Sequence, residues 1–308
     1  MSEHLLEGLV IRRQSGFYWV QTASNLYVCK LRGRLKHRSV SEDIVAVGDS
    51  VDISLVSDGT GVIENVKLRK NELVRLAPIA RGEYKQILLA SLDQAMFIFA
   101  CAQPEPSLRM LDRFLVIAEK QRIFPIIVAN KVDLVGKTGA RKIFAIYESL
   151  PYQVIYTSAK TGMGVRKLKK QLVGKVSAFT GPSGVGKTSL LNRMQPHLGL
   201  KVKELIKATH KGRHTTIVRE MFAIDGGGYV ADLPGLRRLS LWDMQAEELD
   251  GYFPEFCGLV ADCQFSDCSH RVEPGCAVKK AVEEGKIYPE RYESYLRLRS
   301  GLEEVDID

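Results

Sequence analysis

Hydrophobic and polar positions change rhythm twice along this chain. Up to about residue 70 the apolar residues come in short runs, at 8–11, 17–20, 26–29, 51–55 and 61–63. Turn formers separate them, among them Gly16, Gly33, Gly48 with Asp49, and Asp58 with Gly59. This pattern predicts about five strands closing into a small barrel of the oligonucleotide-binding (OB) type.

Between about 75 and 245 strand and helix patterns alternate. Residues 94–100 and 125–129 are continuous apolar runs, as expected of strands covered on both faces, and 154–157 is a further strand. Leu111, Phe114, Leu115 and Ala118 follow helical spacing. Residues 176–180 read as a strand, 187–194 as a helix and 228–231 as another strand. Such alternation predicts a parallel sheet wrapped by helices, with ligands at the carboxyl ends of its strands. Beyond about 241 the pattern is helical again, at 277–284 and 288–302, around a core small enough to need a staple. The chain thus divides into a barrel over 1–72, an α/β domain over 73–240 and a mainly helical region over 241–308.

Composition narrows this picture. Of 308 residues, 45% are hydrophobic, which fits a globular protein and excludes a disordered one. No apolar run reaches the ~18 residues of a membrane helix, and Met1, Ser2, Glu3 and His4 do not begin a secretory signal. A cytoplasmic protein without membrane contact is expected. The net charge of +8 favours a polyanionic partner. The basic stretch 30–38 reads either as a solvated hairpin or as a loop laid on nucleic-acid phosphates. Its position on a barrel favours the second.

The α/β region carries nucleotide chemistry. Gly181, Pro182, Ser183, Gly184, Val185, Gly186, Lys187, Thr188 and Ser189 lie between a strand and a helix, the context a phosphate loop requires. Its glycines let backbone N–H groups curl around phosphate oxygens, and the helix N-terminus favours an anion. Lys187 is expected on the β- and γ-phosphates and Thr188 on Mg²⁺. Asn130, Lys131, Val132 and Asp133 supply base choice. A buried carboxylate at Asp133 would accept from both the ring N–H and the amine of guanine, donors that adenine lacks. Lys131 would lie along the base, and Ala159, between Ser158 and Lys160, would offer its N–H to the guanine oxygen. Asp232 ends a strand and is expected to hold Mg²⁺, with Gly235 facing the γ-phosphate. In the loop between, Thr215 or Thr216 should reach Mg²⁺, with Thr216 preferred.

The order of these motifs is unusual. The base-reading segments precede the phosphate loop, so the ring of motifs is intact but the chain is cut elsewhere. Such a permutation needs the former ends to be close. It also runs the segment after Asp232 directly into the C-terminal region, so nucleotide state is expected to move that region. Leu236 stands where signalling GTPases carry a water-orienting glutamine. Hydrolysis should therefore be slow or use another group, with His214 the nearest candidate.

Cys263, Cys268, His270 and Cys276, spaced Cys-x4-Cys-x-His-x5-Cys, offer three thiolates and an imidazole, the donor set of one structural Zn²⁺. Cys257 is an alternative ligand, while Cys29 and Cys101 read as buried thiols.

Taken together, these motifs resemble the ribosome small subunit-dependent GTPase A family over nearly the whole chain. The resemblance implies a multidomain fold: an N-terminal OB-fold β-barrel, a central circularly permuted P-loop GTPase domain of α/β type, and a C-terminal mainly helical zinc-binding domain. It implies a GTPase that hydrolyses GTP late in small-subunit maturation, binds small-subunit rRNA and is stimulated by the ribosomal particle. Lys187, His214 and Thr216 are the expected catalytic residues, Thr188, Thr216 and Asp232 the Mg²⁺ ligands, and a monomer the expected state. An RNA-binding scaffold that holds GTP or GDP with little turnover is the second reading. A permuted GTPase of large-subunit assembly fits the motif order but not the barrel and zinc cluster. The segment 76–92 is longer and poorer in proline than that family leads one to expect, which leaves the placement of barrel against GTPase domain open.

Overall fold

The computed structural model describes residues 5–37, 43–57, 59–79, 82–196, 219–233 and 244–301. Five strands, β1 (Leu6–Gln14), β2 (Phe17–Thr22), β3 (Leu26–Leu31), β4 (Ser50–Leu55) and β5 (Gly61–Val66), form the N-terminal barrel. β1 pairs with both β2 and β4, and β3 pairs with β5, which closes the sheet on itself. Alternation puts Val10, Tyr18, Val20, Cys29, Val51, Ile53 and Ile63 inside. The basic stretch is no hairpin: Lys30 and Leu31 finish β3, and Gly33–His37 is a 3-10 helix that buries Leu35.

The central sheet runs β10-β9-β8-β11-β13-β12. Its strands are β8 (Gln94–Ala100), β9 (Phe124–Asn130), β10 (Gln153–Tyr156), β11 (Val176–Thr180), β12 (Arg219–Ala223) and β13 (Tyr229–Asp232). All are parallel except β12, which pairs antiparallel with β13. Every residue of β8 is buried, as its unbroken apolar sequence requires. One face carries α1 (Leu108–Lys120) and α2 (Gly136–Glu148), and the other α3 (Val165–Leu172) and α4 (Lys187–Met194). Ser107 caps α1 by accepting from the Met110 N–H. Only Val173, Gly174 and Lys175 separate α3 from β11, so the two former ends of the domain do lie side by side.

Two features leave no trace in the sequence pattern. Residues 72–90 form an antiparallel hairpin, β6 (Glu72–Ile79) and β7 (Gly82–Ala90). Leu73 and Leu89 pack into the core of the central domain, while Val74, Ile87 and Ala90 pack on Ala46 of the barrel. Asp43 accepts from the Ile87 N–H, and Arg69 bridges Asp49 and Glu72, so the hairpin wedges barrel and central domain together. β12 also pairs with β1 through Arg12↔Glu220, which merges the two sheets into one of eleven strands.

The C-terminal region holds α5 (Ala277–Glu283), α6 (Pro289–Arg299) and 3-10 turns around a core of Leu249, Phe253, Phe256, Val278 and Tyr295. Val116 of α1 belongs to that core.

Candidate nucleotide site and metal centre

The nucleotide motifs converge at the carboxyl edge of the parallel sheet. Asn130 ends β9, Thr180 ends β11 and Asp232 ends β13, while Thr157 and Ser158 follow β10 directly. Asn130 is buried, and both the oxygen and the nitrogen of its amide are engaged. Its Oδ1 accepts from Thr157 Oγ1 at 3.1 Å and from the Ala159 N–H at 3.3 Å, and its Nδ2 donates to Val185 O at 2.8 Å. One side chain therefore ties together both base segments and the phosphate loop. Thr157 carries no motif of its own, and in the sequence only its strand is visible.

Ser158 Oγ donates to Asp133 Oδ1 at 2.6 Å and accepts from the Thr161 N–H at 3.1 Å. Asp133 itself is exposed, where the sequence reading expects a buried carboxylate. It sits in a short 3-10 turn (Val132–Leu134) beyond the end of β9, too far out for the sheet to cover it. Lys131 adopts a left-handed backbone (φ 62°) and its ammonium is held by the carbonyl of Gln103, in the loop after β8. Gln103 is a further residue that the motifs did not reveal. Lys160 is exposed.

The phosphate loop runs from β11 into α4 with its backbone pressed on its neighbours. A Cβ at Gly181 would stand 2.0 Å from the Ile98 carbonyl oxygen, and one at Gly186 (φ +95°) would stand 2.5 Å from Asn130 Nδ2. Lys187 Nζ donates to the carbonyls of Gly181 and Pro182 at 2.7 and 2.9 Å, so the cation is held over its own loop. Burial lowers its pKa, and Asp232 opposes that shift. Burial pushes the Asp232 carboxyl up to about 6 against the pull of Lys187. Asp232 Oδ1 is buried with no hydrogen-bond partner among the described residues, and so is Thr180 Oγ1. Orphaned oxygens of this kind suit a hard, oxygen-seeking cation such as Mg²⁺. Thr188 opens α4 beside Lys187. His214, Thr215, Thr216, Gly235 and Leu236 lie outside the described residues.

Cys263, Cys268, His270 and Cys276 form a second centre, with ligand atoms all within 4.8 Å of one another. His270 Nδ1 lies 3.3 Å from Cys276 Sγ and 3.6 Å from Cys263 Sγ. Its Nε2 lies 3.2 Å from Asp250 Oδ2, the outer carboxylate that fixes a metal-binding imidazole. The loop is pinned from outside. Tyr292 and Tyr295 donate to the carbonyls of His270 and Ser269, and Glu273 accepts from the N–H groups of Ser269, Arg271 and Val272. Cys257 points elsewhere, toward the carbonyls of Gly251 and Phe253. Four protein donors this close together can hold a metal ion. Cys29 and Cys101 are buried thiols, each pushed up to about 11 by desolvation.

Residues 66–242 match the RsgA GTPase family profile, and residues 7–63 match that of the RsgA N-terminal domain. The chain belongs to the RsgA GTPase family. The small ribosomal subunit biogenesis GTPase RsgA of Gemmatimonas aurantiaca is 42% identical over 299 residues, covering 96% of this chain and 97% of that protein. Its namesake in Moorella thermoacetica is 41% identical, covering 94% and 95%. The crystal structure of YjeQ from Thermotoga maritima is similar, with a TM-score of 0.79 at 38% identity over 97% of this chain and 98% of that one. YloQ, described as a circularly permuted GTPase, gives a TM-score of 0.75 at 31% identity over 98% and 96%. The structural likeness runs over nearly the whole chain: barrel, permuted GTPase domain and C-terminal region.

Proposed function

We propose that this chain hydrolyses GTP to GDP and phosphate on the small ribosomal subunit, late in the maturation of that particle, and that the particle stimulates the hydrolysis. The observation that carries the reading is the bond from Asn130 to Val185, which makes the base segments and the phosphate loop one site. The relatives named small ribosomal subunit biogenesis GTPase support the particle as partner.

In this reading residues 130–133 and 158–160 take guanine, residues 181–189 wrap the phosphates, and Gly235 faces the γ-phosphate. Lys187 leaves its two carbonyls for phosphate oxygens, exchanging neutral acceptors for anionic ones. Thr188, Thr216 and Asp232 hold Mg²⁺, which supplies positive charge to the phosphate oxygens. Leu236 carries no group that can orient water, so His214 takes that part or the ribosomal particle supplies it. Cys263, Cys268, His270 and Cys276 hold one Zn²⁺, since soft sulfur donors favour it over Mg²⁺, and that ion is structural. The barrel takes rRNA, with Arg12 stacked on Trp19 and Lys30 over Phe17 offering cations beside rings. The domains divide at 72/73 and 240/241, and the protein works as a cytoplasmic monomer. No helix among the described residues is long and apolar enough to cross a membrane.

Leu236 also sustains the second reading, an RNA-binding scaffold with little turnover. GTP turnover measured with and without purified small subunits separates them. Stimulation by the particle supports the enzyme. No stimulation, with RNA affinity equal in GDP and a non-hydrolysable analogue, favours the scaffold and defeats the enzyme.

A further inference from the structure

Helix α3 leaves the guanine segment almost at once. The Ser158 N–H donates to Met163 O at 3.0 Å and the Gly162 N–H to Ser158 O at 2.8 Å, and Gly164 then starts the helix. The helix reads VRKLKKQL. Val165, Leu168 and Leu172 are buried on the sheet. At roughly 100° per residue, Arg166, Lys167 and Lys170 fall within about 100° of arc on the opposite side. All three are exposed.

This composition is unfavourable for the helix by itself. Arg166 and Lys170 are spaced i,i+4, and Lys167 and Lys170 i,i+3, so like charges face each other. The first turn carries two cations and no acidic residue, the wrong sign for a helix N-terminus. Lys169 is relieved by Asp225 at 3.2 Å. Among the described residues, the side chains of Arg166, Lys167 and Lys170 have no hydrogen-bond or ion-pair partner. A polyanion laid across this face removes the repulsion. The helix has no aromatic side chain on which bases could stack, so three cations in a row suit backbone phosphates better than base recognition.

We propose that the outer face of α3, through Arg166, Lys167 and Lys170, is a second RNA-binding surface that takes backbone phosphates of the small subunit without reading sequence. The inference rests on the small-subunit reading above. It places an RNA contact on the helix that follows the guanine segment, apart from the barrel.

The test uses the full chain carrying Arg166→Gln, Lys167→Gln and Lys170→Gln together, with purified small subunits over a salt series. Removing three phosphate-pairing cations makes the slope of log K against log salt shallower by about 2 to 3, and weakens binding on the order of hundredfold at ~0.1 M salt. Lys167→Gln alone lowers the slope by roughly 0.7 to 0.9. GDP affinity holds, because exposed charges outside the site are screened, and the melting temperature holds or rises, because only like charges are removed. Wild-type binding with an unchanged slope in both variants overturns the inference and leaves the functional reading standing. Wild-type chain that does not bind small subunits at all removes that reading and this one with it. Unchanged subunit binding together with abolished binding to phosphatidylserine vesicles assigns the face to a membrane and overturns the proposal, and so does a fall in GDP affinity.

Discussion

Asn130 Nδ2 donates to Val185 O at 2.8 Å, across 55 residues of chain. The residue that opens the base segment is therefore also a strut for the phosphate loop, and Gly186 lies against the same amide. Asn130→Ala leaves the buried Val185 carbonyl without its donor, a loss of about 1–3 kcal/mol. GDP affinity should fall about ten- to hundredfold, with the grip on base and on phosphates weakened together. Titration with a fluorescent GDP analogue checks this, and affinity within twofold of wild type contradicts the strut.

Asp133→Asn exchanges the acceptor for the guanine donors while keeping the shape. The preference for GTP over ATP should drop by about two orders of magnitude or more. Because Asp133 is exposed, folding stability should stay near wild type. Competition of ATP against bound GDP reads the first, and urea denaturation the second. Undiminished guanine preference would remove Asp133 from base selection.

Asp232 trades stability for function. Its folded carboxyl titrates at about 6, above its ordinary 3.8. Below pH ~4 it is protonated in both folded and unfolded chains, so it costs nothing. As pH rises from about 4 through 6 the folded chain must ionise a poorly solvated group, and stability is lost, on the order of 3 kcal/mol. Asp232→Asn should therefore be the more stable protein without nucleotide above pH 6 and equal to wild type near pH 4, while losing Mg²⁺-dependent GTP binding. Denaturation at the two pH values decides it; a pH-independent difference would be the wrong outcome.

Zinc should copurify at one ion per chain. Its removal should unfold the C-terminal region first, because the core around Phe253, Phe256 and Tyr295 is small and packs against His270. Asp250→Asn keeps all four donors but loosens the imidazole, so zinc affinity should drop about 10- to 100-fold. Metal analysis and chelator competition measure both, and a metal-free, fully folded protein would contradict the assignment.

Arg291 lies buried between Asp112 of α1 at 2.7 Å and Glu255 at 2.6 Å, with Phe253 under its guanidinium. Arg291→Met strands two carboxylates and should cost about 3–5 kcal/mol at this junction. Hydrogen exchange should then rise in α5 and α6 before it rises in the central sheet. If nucleotide state does move the C-terminal region, the difference in exchange between GDP and a GTP analogue should shrink in this variant as well.

Much of this protein was readable from its residues, since local chemistry decides local structure. Unbroken apolar runs marked β8 and β9, glycine spacing marked the loop between β11 and α4, and Cys-x4-Cys-x-His-x5-Cys marked the cluster that could hold a metal ion. The permuted order of motifs needed no coordinates. What tertiary structure alone decided were pairings between distant segments that leave no periodic trace: β1 with β12, the β6–β7 wedge, Asp250 behind His270, Gln103 over Lys131, and Arg291 with Asp112. A lone aspartate or arginine has the same local signature on a wet surface as in a buried pair. Which it becomes depends on what the fold brings against it, and that is also why Asp133 was placed inside by its motif and outside by its position beyond the sheet edge.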